Sequence, residues 1–420
     1  MKFSRRTMIK DGMLVVSAGM VMPGVFSRGI ASAKTLSSQG ARFSQAATDK
    51  TLIVVQMAGG NDGLNTVIPY TDSNYFKMRP TLAIPDSKTL HLDNRLGLHP
   101  ELAPLKKLWD SGHMAIVEGV GYPNSSLSHF QAMDVWQTLD LNGGGREGWL
   151  GKLVSGWVDK DGHPFKSLNV DTQTVQALQS ISAQVPTLKT VNSYRVNADP
   201  SDKDGGTSRL QTLMKLYSTY PKSAPYAALL EATAVNAQEG SRQLHEAASN
   251  YTPQVQYPEG PFAAGLQILA ETIVQGLGLR VGYVTLGGFD THANQSEDHA
   301  QLMKTLGEGL LAFYSDLQAH GKADNVVVMT WSEFGRRVEE NGSQGTDHGT
   351  AAPLFVLGNA VTQGIYGEPP SLTSLDDAGN LKYTVDFRSV YATVLDRWLG
   401  ASSKDVLGGT YGSQNFLPQV

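Results

Sequence analysis

"TLIVVQMAGGNDGLNTVIPY", residues 51–70, opens with seven residues that carry no charge. A short apolar run rich in β-branched side chains, closed by glycines, predicts a strand buried on both faces. A tight glycine-rich turn at 58–63 follows it. The same pattern recurs at 114–117, 280–286, 325–330 and 353–357. Between these runs, 100–110, 129–139, 224–250, 261–277, 296–320 and 386–399 carry helical periodicity, the last stopped by Gly400. Buried strands alternating with helices predict an α/β fold: a mostly parallel central sheet with helices on both faces. We expect one such domain over 51–420, with a helical or loop insertion around 150–260. Within that insertion, 201–208 reads as a flexible loop.

The composition narrows the chemistry. Of 420 residues, 40% are hydrophobic and 17% charged, so a large core is available without staples. There is no cysteine, so any metal must be held by imidazole, carboxylate, hydroxyl or water. The N-terminus reads as a targeting segment. Arg5-Arg6 precede a short apolar run from Gly12 to Phe26, and Ala31-Ser32-Ala33 resembles a cleavage site. The run is too short, and too rich in Gly, for a stable membrane anchor. The reading is a twin-arginine signal at 1–33, a flexible leader at 34–50, and a periplasmic or secreted protein. Without residues 1–33 the formal charge of −5 becomes −9, which disfavours nucleic acid as a partner.

Polar groups gather just past the predicted strands. Asp62, the cluster Ser125, Ser126 and Ser128, the pair Asp290 and His292, and Glu333 each follow one. Asp347-His348 precedes the last strand. Ligands of open α/β sheets bind outside the carboxyl ends of the strands, so these groups point to one rim. Carboxylates with imidazoles suit divalent cations: zinc, manganese, calcium or magnesium, which the sequence does not distinguish. Each group also has a plainer role. Asp62 can shape a turn, Ser128 can cap a helix, and Glu333 can pair with Arg336 or Arg337.

These residues carry a resemblance. "VVQMAGGNDGLNTVIPY" (54–70), "YPNSSLSHFQAMDVWQT" (122–138), "EGWLGKL" (147–153), "GGFDTHANQ" (287–295), "VVVMTWSEFGRRVEENGSQGTDHGTAAP" (326–353) and "DFRSVYATVLDRWLG" (386–400) resemble the exported bacterial family DUF1501. That family is similar in turn to the alkaline phosphatase-like superfamily of phosphatases, sulfatases and phosphodiesterases. The resemblance implies a metal site in which a Ser or Thr attacks phosphorus or sulfur. It implies Ser128 as nucleophile, with Ser126 as the competing choice. Asp290, His292 and His348 resemble ligands of a first metal. Asp62 and Glu333 resemble ligands of a second, with Asp347 as a substitute. Phe334 stands where many superfamily members have a histidine. Arg336, or Arg337, is expected to clamp the substrate's oxygens.

Two functions follow. One is an exported metal-dependent hydrolase acting on a small anionic phosphate or sulfate ester, or on a sulfated or phosphorylated glycan. The alternative is a non-catalytic exported protein that keeps the fold and binds a ligand or an exported protein partner.

Overall fold

The computed structural model describes residues 49–157, 165–183, 185–194 and 227–419, together with 212, 215, 216, 218 and 219. The predicted signal, the leader up to residue 48 and the 201–208 loop lie outside the described residues.

Among the described residues, nine strands form the main sheet: β1 (Thr51–Ala58), β2 (Met114–Gly121), β3 (Ser167–Val170), β4 (Thr187–Leu188), β5 (Val281–Gly287), β6 (Val326–Trp331), β7 (Ala352–Leu357), β8 (Gly364–Tyr366) and β9 (Val385–Asp386). Their order is β8-β2-β7-β6-β1-β5-β3-β4, with β9 also on β2. All pairings are parallel except those of β7, which runs against both β2 and β6. This is the mostly parallel α/β sheet that the apolar runs predict. In β1 every residue but the last is buried, with Val54 opposite Tyr283 on one side and Met329 on the other.

Alternation along β1 feeds two cores. Ile53, Val55 and Met57 pack with Leu105, Leu266, Leu306 and Leu310; Leu52 and Val54 belong to the cluster of Trp136, Trp149 and Tyr391. The first face is therefore covered by helices α1 (Ala103–Asp110), α4 (Ala227–Asn250), α5 (Pro261–Val274) and α6 (Gln295–Ala319). The second is covered by α2 (His129–Thr138), α3 (Trp149–Gly156) and α7 (Phe387–Thr393). Each fully buried aliphatic side chain contributes roughly 1.5–3 kcal/mol. Among the described residues, no helix is long and apolar enough to cross a membrane.

The structure differs from the periodicity in three places. Within the 150–260 stretch, β3 and β4 extend the central sheet; at four and two residues they are too short to show a period. The expected 386–399 helix is α-helical only to Thr393, then π-helical over Val394–Leu399. A small three-stranded sheet at Val67–Ile68, Gly97–Leu98 and Leu90–His91 went unread for the same reason of length.

The parallel strands bring the ends of β1, β2, β5 and β6 to one rim. Because β7 is antiparallel, its entry lies at that rim too. The loop carrying Asp347-His348 is thereby returned to the ends of its neighbours.

Candidate metal centre

Asp290 sits just past β5 and is the hub. His292 Nε2 and His348 Nε2 each lie 3.0 Å from its Oδ1, and 3.0 Å from one another. His129 Nε2 lies 3.4 Å from its Oδ2. One ligand atom each from His129, Asp290 and His348 fall within 4.8 Å of one another.

The far side of each imidazole is held by an acceptor. His129 Nδ1 is 2.8 Å from Glu333 Oε1, His348 Nδ1 is 2.8 Å from the Leu127 carbonyl, and His292 Nδ1 is 3.3 Å from Asp347 Oδ1. Each Nδ1 therefore has an acceptor of its own, and each Nε2 faces the Asp290 carboxylate, the arrangement that leaves Nε2 to a cation. His129 Nε2 is buried without a hydrogen-bond partner, which fits a ligand atom. Metal bonds of about 2.1 Å place tetrahedral ligand atoms roughly 3.4 Å apart, close to the spacings here. The residues therefore fit a divalent ion. The side chain of Asp290 is 46% exposed and that of His292 44%, so the cluster opens to solvent.

Glycines make the packing behind the cluster. A Cβ on Gly59 would meet the Asp290 amide nitrogen at 2.4 Å, and one on Gly60 the Phe334 ring at 2.3 Å. Both glycines have positive φ, 125° and 78°. Phe334 is buried, its ring centroid 4.9 Å from that of His129 and 4.6 Å from that of His348. It is a wall of the site and supplies no ligand atom.

The expected residues separate into groups. Asp290, His292, His348 and Asp347 come together. Glu333 is fully buried and stands one imidazole behind, accepting from the Gly59 amide at 2.8 Å and facing His129. Ser128 is the exposed N-cap of α2, between Leu127, whose carbonyl holds His348, and His129 itself. The Ser126 hydroxyl is engaged with Gln131 Oε1 at 2.8 Å.

Two expectations meet a different geometry. Arg336 is 1% exposed, and its guanidinium binds the carbonyls of Gly59, Gly60, Phe289 and Thr346 as well as Asp290 Oδ1 at 2.7 Å. A side chain so enclosed cannot clamp a substrate. Asp62 is fully buried, 2.6 Å from Arg79 Nη1 and 2.5 Å from Gln295 Nε2. It reaches the cluster only through Gln295, whose Oε1 accepts from Thr291 and Thr346. Burial works to raise the Asp62 pKa, but the adjacent guanidinium outweighs it and holds the carboxyl below its usual range. Arg337 is half-buried; a hydrogen bond from Asn341 is the main cause that lowers the pKa of Asp347, and the charge of Arg337 adds to it.

His129 and Arg79 were given no role from the sequence. His129 had a signal: an imidazole at a helix start, past a strand end, next to Ser128. Arg79 had none, because only the fold carries it to Asp62.

No curated protein matches the chain in sequence. Several solved structures overlap it loosely. Ps i-CgsB in complex with k-i-k-neocarrahexaose is 10% identical over 87% of this chain and 75% of that one, at a TM-score of 0.36. The lipoteichoic acid synthase LtaP from Listeria monocytogenes is 11% identical over 93% and 79%, at 0.32. A protein in the alkaline phosphatase superfamily from Vibrio parahaemolyticus is 6% identical over 81% and 70%, at 0.28. Overlaps this loose carry no argument about activity. The model of the family described as protein of unknown function, DUF1501, matches residues 111–412, and the chain belongs to that family.

Proposed function

We propose that this chain is an exported, metal-dependent hydrolase of phosphate or sulfate esters. One observation carries the reading: three imidazoles, each tied at Nδ1, turn Nε2 toward one carboxylate at an open rim. His129, His292, His348 and Asp290 would hold the ion. Three imidazoles and one carboxylate favour zinc, or a similar borderline ion, over calcium or magnesium. A bound divalent ion would neutralise charge on an anionic ester and lower the pKa of an adjacent hydroxyl.

The chain's own groups supply the rest. The Ser128 hydroxyl is exposed beside His129 and is the nucleophile in this reading. Its oxygen forms a bond to phosphorus or sulfur as the ester oxygen leaves with a proton, and water later frees the serine. Glu333, Asp347 and the Leu127 carbonyl orient the rings. A small anionic ester, or a sulfated or phosphorylated glycan, is the substrate class in this reading. The twin-arginine segment supports a periplasmic or secreted location.

The test is metal analysis of the matured protein together with an aryl phosphate and aryl sulfate panel. Bound zinc, activity lost in Ser128→Ala with zinc retained, and both lost in His348→Ala are expected. No bound metal, with rates unchanged in both variants, overturns the reading. The second reading, a non-catalytic exported binding protein, is favoured by Phe334, which fills the wall between His129 and His348 with a ring that cannot ligate. A zinc-loaded protein without turnover on either ester would support it.

A further inference from the structure

Arg336 is bound more thoroughly than an ion-pair partner requires. It holds carbonyls from the loop after β1 (Gly59 and Gly60), the loop after β5 (Phe289) and the loop before β7 (Thr346). Those loops carry Asp290 and His348, and the Gly59 amide steadies Glu333. The remaining contact of the guanidinium is Asp290 Oδ1, the atom that also faces His292 and His348. One carboxylate oxygen is thus shared between a fixed organic cation and the place of the metal.

This residue offsets part of the negative charge around the cluster. The carboxylates touching the site are Asp290, Glu333 and Asp347, and Arg336 is the cation bonded to it. Three carboxylates against one bonded guanidinium leave two formal negative charges, which one divalent ion balances. The other carboxylate at this rim, Asp62, is fully buried and paired with Arg79 through Oδ2, away from the open cluster.

We propose that Arg336 is the internal cation of this centre: a positioning residue that holds Asp290 in its ligating pose and restricts the site to one divalent ion per chain. The inference rests on the metal reading above. Orienting contacts to metal ligands are typically worth 10–100-fold in affinity. Arg336 differs from an ordinary one in carrying charge as well as geometry.

Zinc ion is the probe. Native mass spectrometry of the matured protein gives the stoichiometry, and competition with a chelator gives the affinity, for wild type, Arg336→Lys and Arg336→Gln. Melting of the metal-free forms reports folding separately. One zinc per wild-type chain is expected. Zinc affinity should fall about 10–100-fold in Arg336→Gln as the Asp290 pose loosens, with Arg336→Lys between the two because it keeps part of the hydrogen bonding without the fork. Two zinc ions per wild-type chain, or unchanged affinity in a folded Arg336→Gln, overturns the inference and leaves the metal centre standing. If Arg336→Gln does not fold, the wild-type stoichiometry and an affinity of Arg336→Lys equal to wild type decide against it in the same way. No zinc on the wild type overturns the metal centre itself.

Discussion

Asp62 and Asp290 begin alike. Each follows a buried parallel strand, each lies beside glycines, and each meets an arginine. Their surroundings then diverge. Asp62 is sealed under Arg79, Asn65, Tyr75 and Gln295, with Arg79 also held by the Val338 and Arg337 carbonyls. Asp290 keeps a half-exposed carboxylate and faces three imidazoles. A sealed carboxylate needs its full counter-charge from the protein, because leaving it unpaired is expensive. An open one can share its oxygens with an exchangeable cation. Burial, more than residue type, separates an internal ion pair from a carboxylate open to an added cation.

That contrast can be broken most severely on the Asp62 side. Arg79→Leu strands a buried carboxylate and should cost about 3–5 kcal/mol in urea unfolding, whereas adding Asp62→Asn should recover part of the loss. A single variant as stable as wild type would mean that the pair does not hold the rim. On the Asp290 side, His348→Ala should leave the metal-free fold nearly intact and lower zinc affinity by about 100-fold or more, beyond what orienting contacts are worth. Chelator competition reads this directly. Glu333→Gln keeps the shape behind His129 and removes the charge; about a tenfold weakening of zinc is expected. Equal affinity would show that Glu333 only packs.

The smallest effect at neutral pH grows on acidification. His299 lies against Asn61 and Thr66 behind the Asp62 pair, and burial depresses its pKa from 6.5 to about 4. The folded state therefore binds this proton less readily than the unfolded one. Its stability contribution is complete above pH 6.5 and declines as pH falls toward 4. His99, depressed to about 3 by burial and by His299, adds to the same slope. His299→Gln should flatten the loss of stability between pH 6.5 and 4; an unaltered slope would point to other groups.

Much of this was legible in the residues. Continuous apolar runs at 51–57, 280–286 and 325–330 announce buried strands because strands covered on both faces cannot alternate. Asp290, His292 and His348 were readable because polar groups after such strands share a rim. Glu333 was read as a direct ligand; the structure puts His129 between it and the cluster, since the 0%-exposed carboxylate is already bound to the Gly59 amide. Arg336 is expected as a substrate clamp because a guanidinium can grip two ester oxygens at once. Three of its four carbonyl partners, Gly59, Gly60 and Phe289, come from loops far away in the chain, and no local pattern records them.

The sequence by itself determined the α/β class, the strand-end location of the polar groups and the family, because burial period and motif are local properties. Only the tertiary structure decided which carboxylate is open and which is sealed. It also decided which nitrogen of each imidazole faces Asp290, and that Arg336 spends its charge inward. Those choices depend on burial and on partners distant in sequence, such as Arg79 with Asp62 and Leu127 with His348, and these exist only once the sheet has assembled.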